Sequence, residues 1–346
     1  MHALIDALCA GQDLTSEQAE AVFGAVVAGA ISEVELAALL VALKAKGEAP
    51  AEIAGAARAL RAAAAPFDRP GYVYADCCGT GGDGQGTVNV STAAAFVAAE
   101  AGLPVAKHGN RAISSRCGSA DMVEALGARI DPPPEVARRA LDEVGFCFLF
   151  APQYHPGLRH AASVRRALRI RTIMNLLGPL VNPSTPPVQL MGIYAPELVA
   201  VAASTLGALG CRAALVVHGG GLDEIALHAP TRAARLRDGG VEELEIVPED
   251  AGVARAPIEA LRAGEPAASG AWLERLLGGE GAPAHRDAVA INAGALLWIA
   301  ERAASLREGT SIALELIASG RARARLARFA ALTRGEAAPA ASGGRS

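Results

Sequence analysis

The sequence predicts a helix-rich α/β fold, with a small N-terminal all-helical domain ahead of a larger domain that has a mostly parallel sheet flanked by helices. Three observations predict it. Hydrophobic residues fill 51% of the positions but aromatic ones only 4%, and alanine supplies much of the difference. That balance suits closely packed helices better than an aromatic-rich sandwich. Residues 3 to about 65 read as helices alone, and after Gly71 short β-prone runs alternate with helical stretches. The chain length of 346 residues favours one large domain and one smaller.

In the helical part, Thr15 through Gln18 and Ser32 through Glu35 have capping-box spacing, and Gly47 and Pro50 punctuate the next break. Pro66 to Pro70 reads as the passage out of a 1–66 unit. Strands are expected at 73–76, 104–107, 146–150, 188–194 and 213–219, with helices around 91–101, 119–126, 134–144, 157–168 and 196–209. Such spacings fit strand, crossover helix, parallel strand. From about 256 to 333 the pattern is helical again, closing a 71–333 domain, and the Pro/Gly-rich tail 334–346 is expected to be disordered.

A net charge of -4 argues against nucleic acid or an anionic membrane as the main partner, since either calls for a large positive field. The six cysteines, Cys9, Cys77, Cys78, Cys117, Cys147 and Cys211, form no CxxC pair and read as reduced cytosolic thiols. The first residues lack the pattern of a signal peptide, and there is no run of about twenty apolar residues to span a membrane. The expectation is a cytoplasmic protein.

The chemistry starts after the first strand, in CCGTGGDGQGTVNVSTAAAF, a glycine loop leading into a helix with Ser91 placed as its N-cap. Glycines let backbone N–H groups close on an anion, and the helix start adds partial positive charge. Gly79, Gly81 and Gly84 match the dinucleotide fingerprint, but the helix begins late and Lys107 stands where a ribose-binding acid belongs. No GK[ST] follows, which excludes a P-loop. A tight structural turn remains open on the glycines alone.

The second strand ends in KHGNRAISSRCGSAD, where Lys107, Arg111 and Arg116 bring three cations beside Asn110, Ser114, Ser115 and Ser119, groups that can bind phosphate or ribose oxygens. Ser119 can also cap the next helix. A solvated charged loop is the plain alternative, but two such loops at carboxyl ends of strands lie where open α/β sheets bind ligands. In GGGLDEIAL, Asp223 and Glu224 follow a strand and a glycine turn. Adjacent hard carboxylates suit Mg²⁺ bound chiefly through a phosphorylated substrate.

Together GTGGDG, NVST, KHGNRAISS, GSAD, VRRALRIRTIMNLLGPLVNP and GLDE, in this order, resemble the anthranilate phosphoribosyltransferase family, which joins anthranilate to phosphoribosyl pyrophosphate in tryptophan synthesis. The similarity runs from the N-terminal helices to about residue 330. It implies a helical domain packed on the α/β domain with helices near 157–185 joining it, an active site between the two, and a homodimer formed through the helical part. Carried over by position, it implies a donor site of Gly79, Gly82, Asp83, Thr87, Asn89, Val90, Ser91, Thr92, Lys107, His108, Gly109, Asn110, Arg111, Ala112, Ile113, Ser114, Ser115 and Ser119. It implies anthranilate contacts at Gly79, Asn110 and Arg165, and two Mg²⁺ ions per subunit held by Ser91, Asp223 and Glu224. An arginine facing a benzoate is chemically apt, because its fork reaches both oxygens. No covalent nucleophile or general base is implied.

Departures from the family pattern are local: Cys117 where serine is common, and Gln153-Tyr154 in place of Asn/His-His, near the expected acceptor channel. His155 and His160 read as capping or packing residues, and Trp272 and Trp298 as helix core. Two other functions compete. A pyrimidine nucleoside phosphorylase of the same fold would need no acidic pair for pyrophosphate-bound metal. A non-catalytic nucleic-acid-binding relative would need a basic surface, against the charge of -4.

Overall fold

The structure, a computed structural model, describes residues 1–82, 84–111, 117–264 and 268–336. Four helices come first: α1 His2–Cys9, α2 Ser16–Val27, α3 Glu33–Lys46 and α4 Pro50–Ala62. Both expected capping boxes form, Thr15 with Gln18 and Ser32 with Glu35. Glu52 is fully buried where α4 begins, accepting from Leu14 N at 2.9 Å and pairing with Lys46 Nζ at 3.1 Å. A buried carboxylate is tolerated because it is both paired and hydrogen-bonded.

Strands and helices then alternate: β1 Ala75–Gly79, α5 Val90–Glu100, β2 Val105–Gly109, α6 Ser119–Ala125, α7 Pro134–Val144 and β3 Phe146–Phe150. After the short α8 Ala151–Tyr154 come α9 Ala162–Leu168, α10 Ile173–Leu180, β4 Val188–Gly192, α11 Val199–Ala208 and β5 Ala213–Gly219. Strands β6 Thr231–Arg237 and β7 Gly240–Ile246 follow, and α12 Ser269–Leu277, α13 Pro283–Ile299, α14 Leu306–Ser319 and α15 Arg321–Thr333 are the last elements among the described residues.

The sheet order is β3-β2-β1-β4-β5-β6-β7, parallel from β3 through β5 and antiparallel beyond. The helix-rich α/β class is borne out. One apolar core joins Leu190, Leu215 and Val217 to α5, α7, α13 and α15, while Met191, Ala214 and Val216 on the opposite face join α2, α3, α4, α10 and α11. The period-2 alternation of a strand is what divides these residues between two layers.

Three expectations need correction. β1 and β2 lie two residues or so later than the apolar runs suggested, because β4 pairs with β1 out to Gly79↔Gly192 and β3 pairs with β2 out to Gly109↔Phe150. Helix α5 starts at Val90 with Asn89 at its cap, so Ser91 is inside the first turn; α6 likewise starts at Ser119 with Gly118 as cap. The β6–β7 hairpin was not foreseen. Its Asp238-Gly239 turn has φ values of 51 and 78°, the left-handed pair of a type I′ connection. The run TRAARLR before it has a helix-like composition that masked the strand.

Candidate active site

Strand order reverses between β1 and β4: β2 and β3 lie to one side of β1, and β5 to the far side of β4. Crevices at such switch points, beyond the carboxyl ends of parallel strands, are where open α/β sheets take ligands. A cavity of about 510 Å³ opens there.

Each wall traces to a strand end. From β1 come Gly79, Gly82 and, farther along, Thr87, Asn89 and Ser91; from β2 come Lys107, His108, Gly109, Asn110 and Arg111, with Ser119 on α6. Asp223 and Glu224 enter after β5, and Arg165 enters from α9. Val90 and Thr92 do not line the cavity; the Val90 side chain belongs to the core, and Thr92 Oγ1 is buried without a partner among the described residues. The expected site residues Asp83, Ala112, Ile113, Ser114 and Ser115, together with Arg116, lie outside the described residues.

Two glycines allow the acidic pair to reach the sheet. A Cβ on Gly79 would stand 2.2 Å from Asp223 Oδ2, and one on Gly192 would stand 1.5 Å from the Asp223 carbonyl oxygen. Only residues without a side chain admit that approach. Asp223 Oδ2 then accepts from Gly81 N at 2.6 Å, and Glu224 Oε1 accepts from Ser91 N at 3.2 Å in the first turn of α5. A carboxylate at a helix N-terminus is favoured by the helix dipole. On the other loop, a Cβ on Gly109 would stand 2.4 Å from Ser119 Oγ, so that glycine lets α6 close on the end of β2.

Lys107 is buried, donating to Ser91 Oγ at 3.1 Å and to the Cys77 carbonyl. Behind it the fully buried Asp76 accepts from Asn182 Nδ2 at 2.9 Å and from His108 N at 3.3 Å. Burial raises the Asp76 carboxyl, against the pull of Lys107 and these donors. Burial also pushes the Cys77, Cys78 and Cys147 thiols up, which keeps them protonated and unreactive.

His108 donates from Nδ1 to the Gly178 carbonyl at 3.0 Å and packs edge-on against His155, ring centroids 5.2 Å apart. Burial, reinforced by His155, pushes its imidazole down to about 3, so it is neutral at ordinary pH. Burial lowers the Arg165 guanidinium as well, and that side chain has no hydrogen-bond or ion-pair partner among the described residues. Arg111 is engaged differently: its guanidinium grips Glu124 at 2.7 and 2.9 Å and Asp121 at 2.9 Å.

Some walls had no sequence signal. Arg262, Trp272, Arg275 and His285 line the cavity from the C-terminal third, which folds back so that Val88 N donates to Leu261 O at 2.9 Å and Ala263 N to Gly86 O at 2.8 Å. Trp272, expected as core, is half-buried on the cavity wall and donates to His285 Nδ1 at 3.0 Å. Conversely, Gln153 and Tyr154 do not line the cavity. Gln153 donates to the Pro132 carbonyl, and Tyr154 is buried edge-on to Phe67, while Ala151 and Leu158 form the wall there. His160 packs against Gly29.

The cavity thus sets buried and exposed cations, backbone amides and hydroxyls around a pair of carboxylates. That is suited to a polyanion accompanied by a hard metal ion. Among the described residues, no group of three or more His, Cys, Asp or Glu is gathered into a metal cage. An ion held by Asp223 and Glu224 would therefore draw much of its coordination from ligand oxygens and water, the habit of Mg²⁺.

Two family models match: a glycosyl transferase family helical bundle domain over residues 2–64 and a glycosyl transferase family a/b domain over residues 71–323. Anthranilate phosphoribosyltransferase from Sorangium cellulosum is 78% identical over 334 residues, covering 96% of each chain. That of Aeromonas salmonicida is 51% identical over 337 residues, covering 97% of this chain and 100% of the relative. Among solved structures, the anthranilate phosphoribosyltransferase of Thermus thermophilus superposes with a TM-score of 0.91 at 46% identity, covering 95% of this chain and 99% of that one. The Saccharomyces cerevisiae enzyme in complex with phosphoribosyl pyrophosphate and Mg gives 0.85 at 27% identity, covering 93% and 94%.

Proposed function

We propose, from the premise that this chain belongs to the anthranilate phosphoribosyltransferase family, how its cavity carries out that reaction. The chain is a glycosyltransferase that moves the 5-phosphoribosyl group from phosphoribosyl pyrophosphate to the amino group of anthranilate, releasing pyrophosphate. The observation that carries the site assignment is the meeting of Asp223 and Glu224 with the glycine loop, through Gly81 N to Asp223 and Ser91 N to Glu224.

The donor's phosphates lie against Gly79 to Gly82, Thr87, Asn89, Ser91 and the β2 loop, with Lys107 as the buried cation nearest Ser91. Asp83, Ala112, Ile113, Ser114 and Ser115 complete that cradle in our reading, and Thr92 supports it from outside the cavity, its buried hydroxyl without a partner among the described residues. Asp223, Glu224 and Ser91 would hold Mg²⁺, two ions per subunit in our reading; the yeast relative is known in complex with phosphoribosyl pyrophosphate and Mg. When bound, the metal neutralises charge on the leaving pyrophosphate. The Ser91 hydroxyl accepts from Lys107 and keeps a second lone pair for a ligand.

Anthranilate lies on the α9–α10 side, its carboxylate on Arg165 and its ring against apolar side chains such as Leu158 and Met174. Asn110 and the Gly79 backbone turn its amine toward the anomeric carbon. The amine is neutral near pH 7, so alignment and leaving-group stabilisation suffice and no strong base is required. The reaction proceeds between a helical unit of residues 1–66, with helices near 157–185 packed on it, and the 71–333 unit. Dimerisation through the helical unit and a cytoplasmic location complete the reading; exposed Val34 and Val41 on α3 favour the dimer, and no described helix is long and apolar enough to cross a membrane.

The test is the loss of anthranilate fluorescence on adding phosphoribosyl pyrophosphate and Mg²⁺. We expect Asp223→Asn to lower the rate at least about tenfold, the loss of roughly one charged contact. An undiminished rate in that variant overturns the metal assignment.

A further inference from the structure

Of the two arginines between α9 and α10, Arg171 comes six residues after Arg165 and does not line the cavity. The Arg171 guanidinium stands 4.3 Å over the Tyr194 ring and donates through Nη2 to the Gly82 carbonyl. Tyr194 is tied to the same loop, its N–H donating to Thr80 Oγ1 at 3.1 Å, while Thr80 N donates to the Gly192 carbonyl at 3.0 Å.

The loop so gripped is rich in glycine. Gly81, Gly82 and Gly84 sit at φ 69, 75 and 75°, a conformation glycine adopts readily and also leaves readily. Holding it costs conformational entropy that local contacts must offset. Asp223 holds it from one side through Gly81 N, and Arg171 holds it from the other through the next residue's carbonyl. Arginine suits this place because its edge can hydrogen-bond while its face stacks on an aromatic ring. The bond also turns one loop carbonyl toward a cation, where it does not oppose an anion.

We propose that Arg171 is a positioning residue for the phosphoribosyl donor: stacked on Tyr194, it clamps the Gly82 carbonyl and holds the glycine loop in its anion-receiving shape. It thereby ties the donor loop to the segment that follows α9, the helix that bears Arg165, without touching either substrate. The clamp rests on the reading of the glycine loop as the donor site.

The test is steady-state kinetics of the full chain with each substrate varied in turn. Arg171→Met removes the bond and the charge while keeping a long side chain. It is expected to raise the KM for phosphoribosyl pyrophosphate roughly tenfold, with kcat and the KM for anthranilate within about twofold. Tyr194→Leu shifts the same constant in the same direction, and the double variant is no worse than Arg171→Met, since the two side chains act as one unit. An unchanged donor KM in Arg171→Met overturns the clamp. So does a rise in both KM values accompanied by a lower melting temperature, the mark of a merely structural role. If Asp223→Asn loses activity while Arg171→Met keeps its donor KM, the clamp falls and the site assignment stands. If Asp223→Asn is fully active, both fall.

Discussion

Replacing Gly79 by alanine separates the work of the acidic pair from the stability of the fold. The new methyl group would lie 2.2 Å from Asp223 Oδ2 and 2.8 Å from its Cγ, both below any sustainable contact. The colliding atoms are the end of a side chain, so the carboxylate can turn away, and we expect a melting temperature within about 2 °C of the parent, since 1 kcal/mol shifts a chain of this size by a few degrees at most. Turning breaks the 2.6 Å bond from Gly81 N and moves the oxygen from its place over the loop. A hydrogen bond to a charged group contributes about 1.5–3 kcal/mol, so kcat/KM for phosphoribosyl pyrophosphate should fall roughly 10- to 100-fold. Gly192→Ala is the contrast. Its methyl group meets the Asp223 main chain, with the carbonyl oxygen at 1.5 Å and the carbonyl carbon at 2.3 Å, and no rotamer relieves that. Overpacking of this kind costs about 1–3 kcal/mol or more, and the melting temperature should drop with the activity. Thermal melts and fluorescence-monitored turnover on both variants check the pair. Parental kcat/KM in Gly79→Ala refutes the claim that Asp223 must sit over the loop. An equal loss of stability in both variants refutes the distinction between side-chain and main-chain collision.

Arg165→Lys keeps a positive charge but loses the planar fork, so the KM for anthranilate should rise about tenfold or more while that for phosphoribosyl pyrophosphate stays within about twofold; equal effects on both substrates in initial-rate assays would contradict the acceptor assignment. The His108 imidazole is held down to about 3, chiefly by burial and next by His155, against about 6.5 in an unfolded chain. Between these values the unfolded state binds a proton that the folded state does not, so His108 makes stability rise with pH across that window and level off above it. Its share is at most about 1.4 kcal/mol per pH unit, and burial pushes His155 in the same direction. Urea midpoints at pH 5 and pH 7 should differ less in His108→Gln than in the parent, and an unchanged difference would remove His108 from the account.

Much of the proposed donor half of the site is legible in the chain because anion binding depends on contiguous residues. Gly79 through Gly84 offer amides, Lys107 through Ser119 offer cations and hydroxyls, and Asp223-Glu224 offers hard oxygens. Local chemistry of that kind leaves a local signature. The acceptor half was less legible. Gln153 and Tyr154 turn to Pro132 and Phe67, whereas the unremarked Leu158 a turn later faces the cavity. Which side of a short helix looks inward is decided by what packs against it, and that partner is distant in sequence.

By itself, then, the sequence determined the helix-rich α/β class, the alternation that builds a parallel sheet and the residue types of the proposed phosphate cradle, since each depends on periodicity or on neighbouring backbone groups. The tertiary structure alone decided that these pieces meet. The register Gly79↔Gly192 places two glycines side by side under Asp223. The fold-back of the C-terminal third brings Trp272, Arg275 and His285 to the wall, and the α9–α10 connection delivers Arg171 to the Gly82 carbonyl. None of these contacts has a local signature, because each joins groups from tens to more than a hundred residues apart, and only packing around the shared sheet selects such pairs.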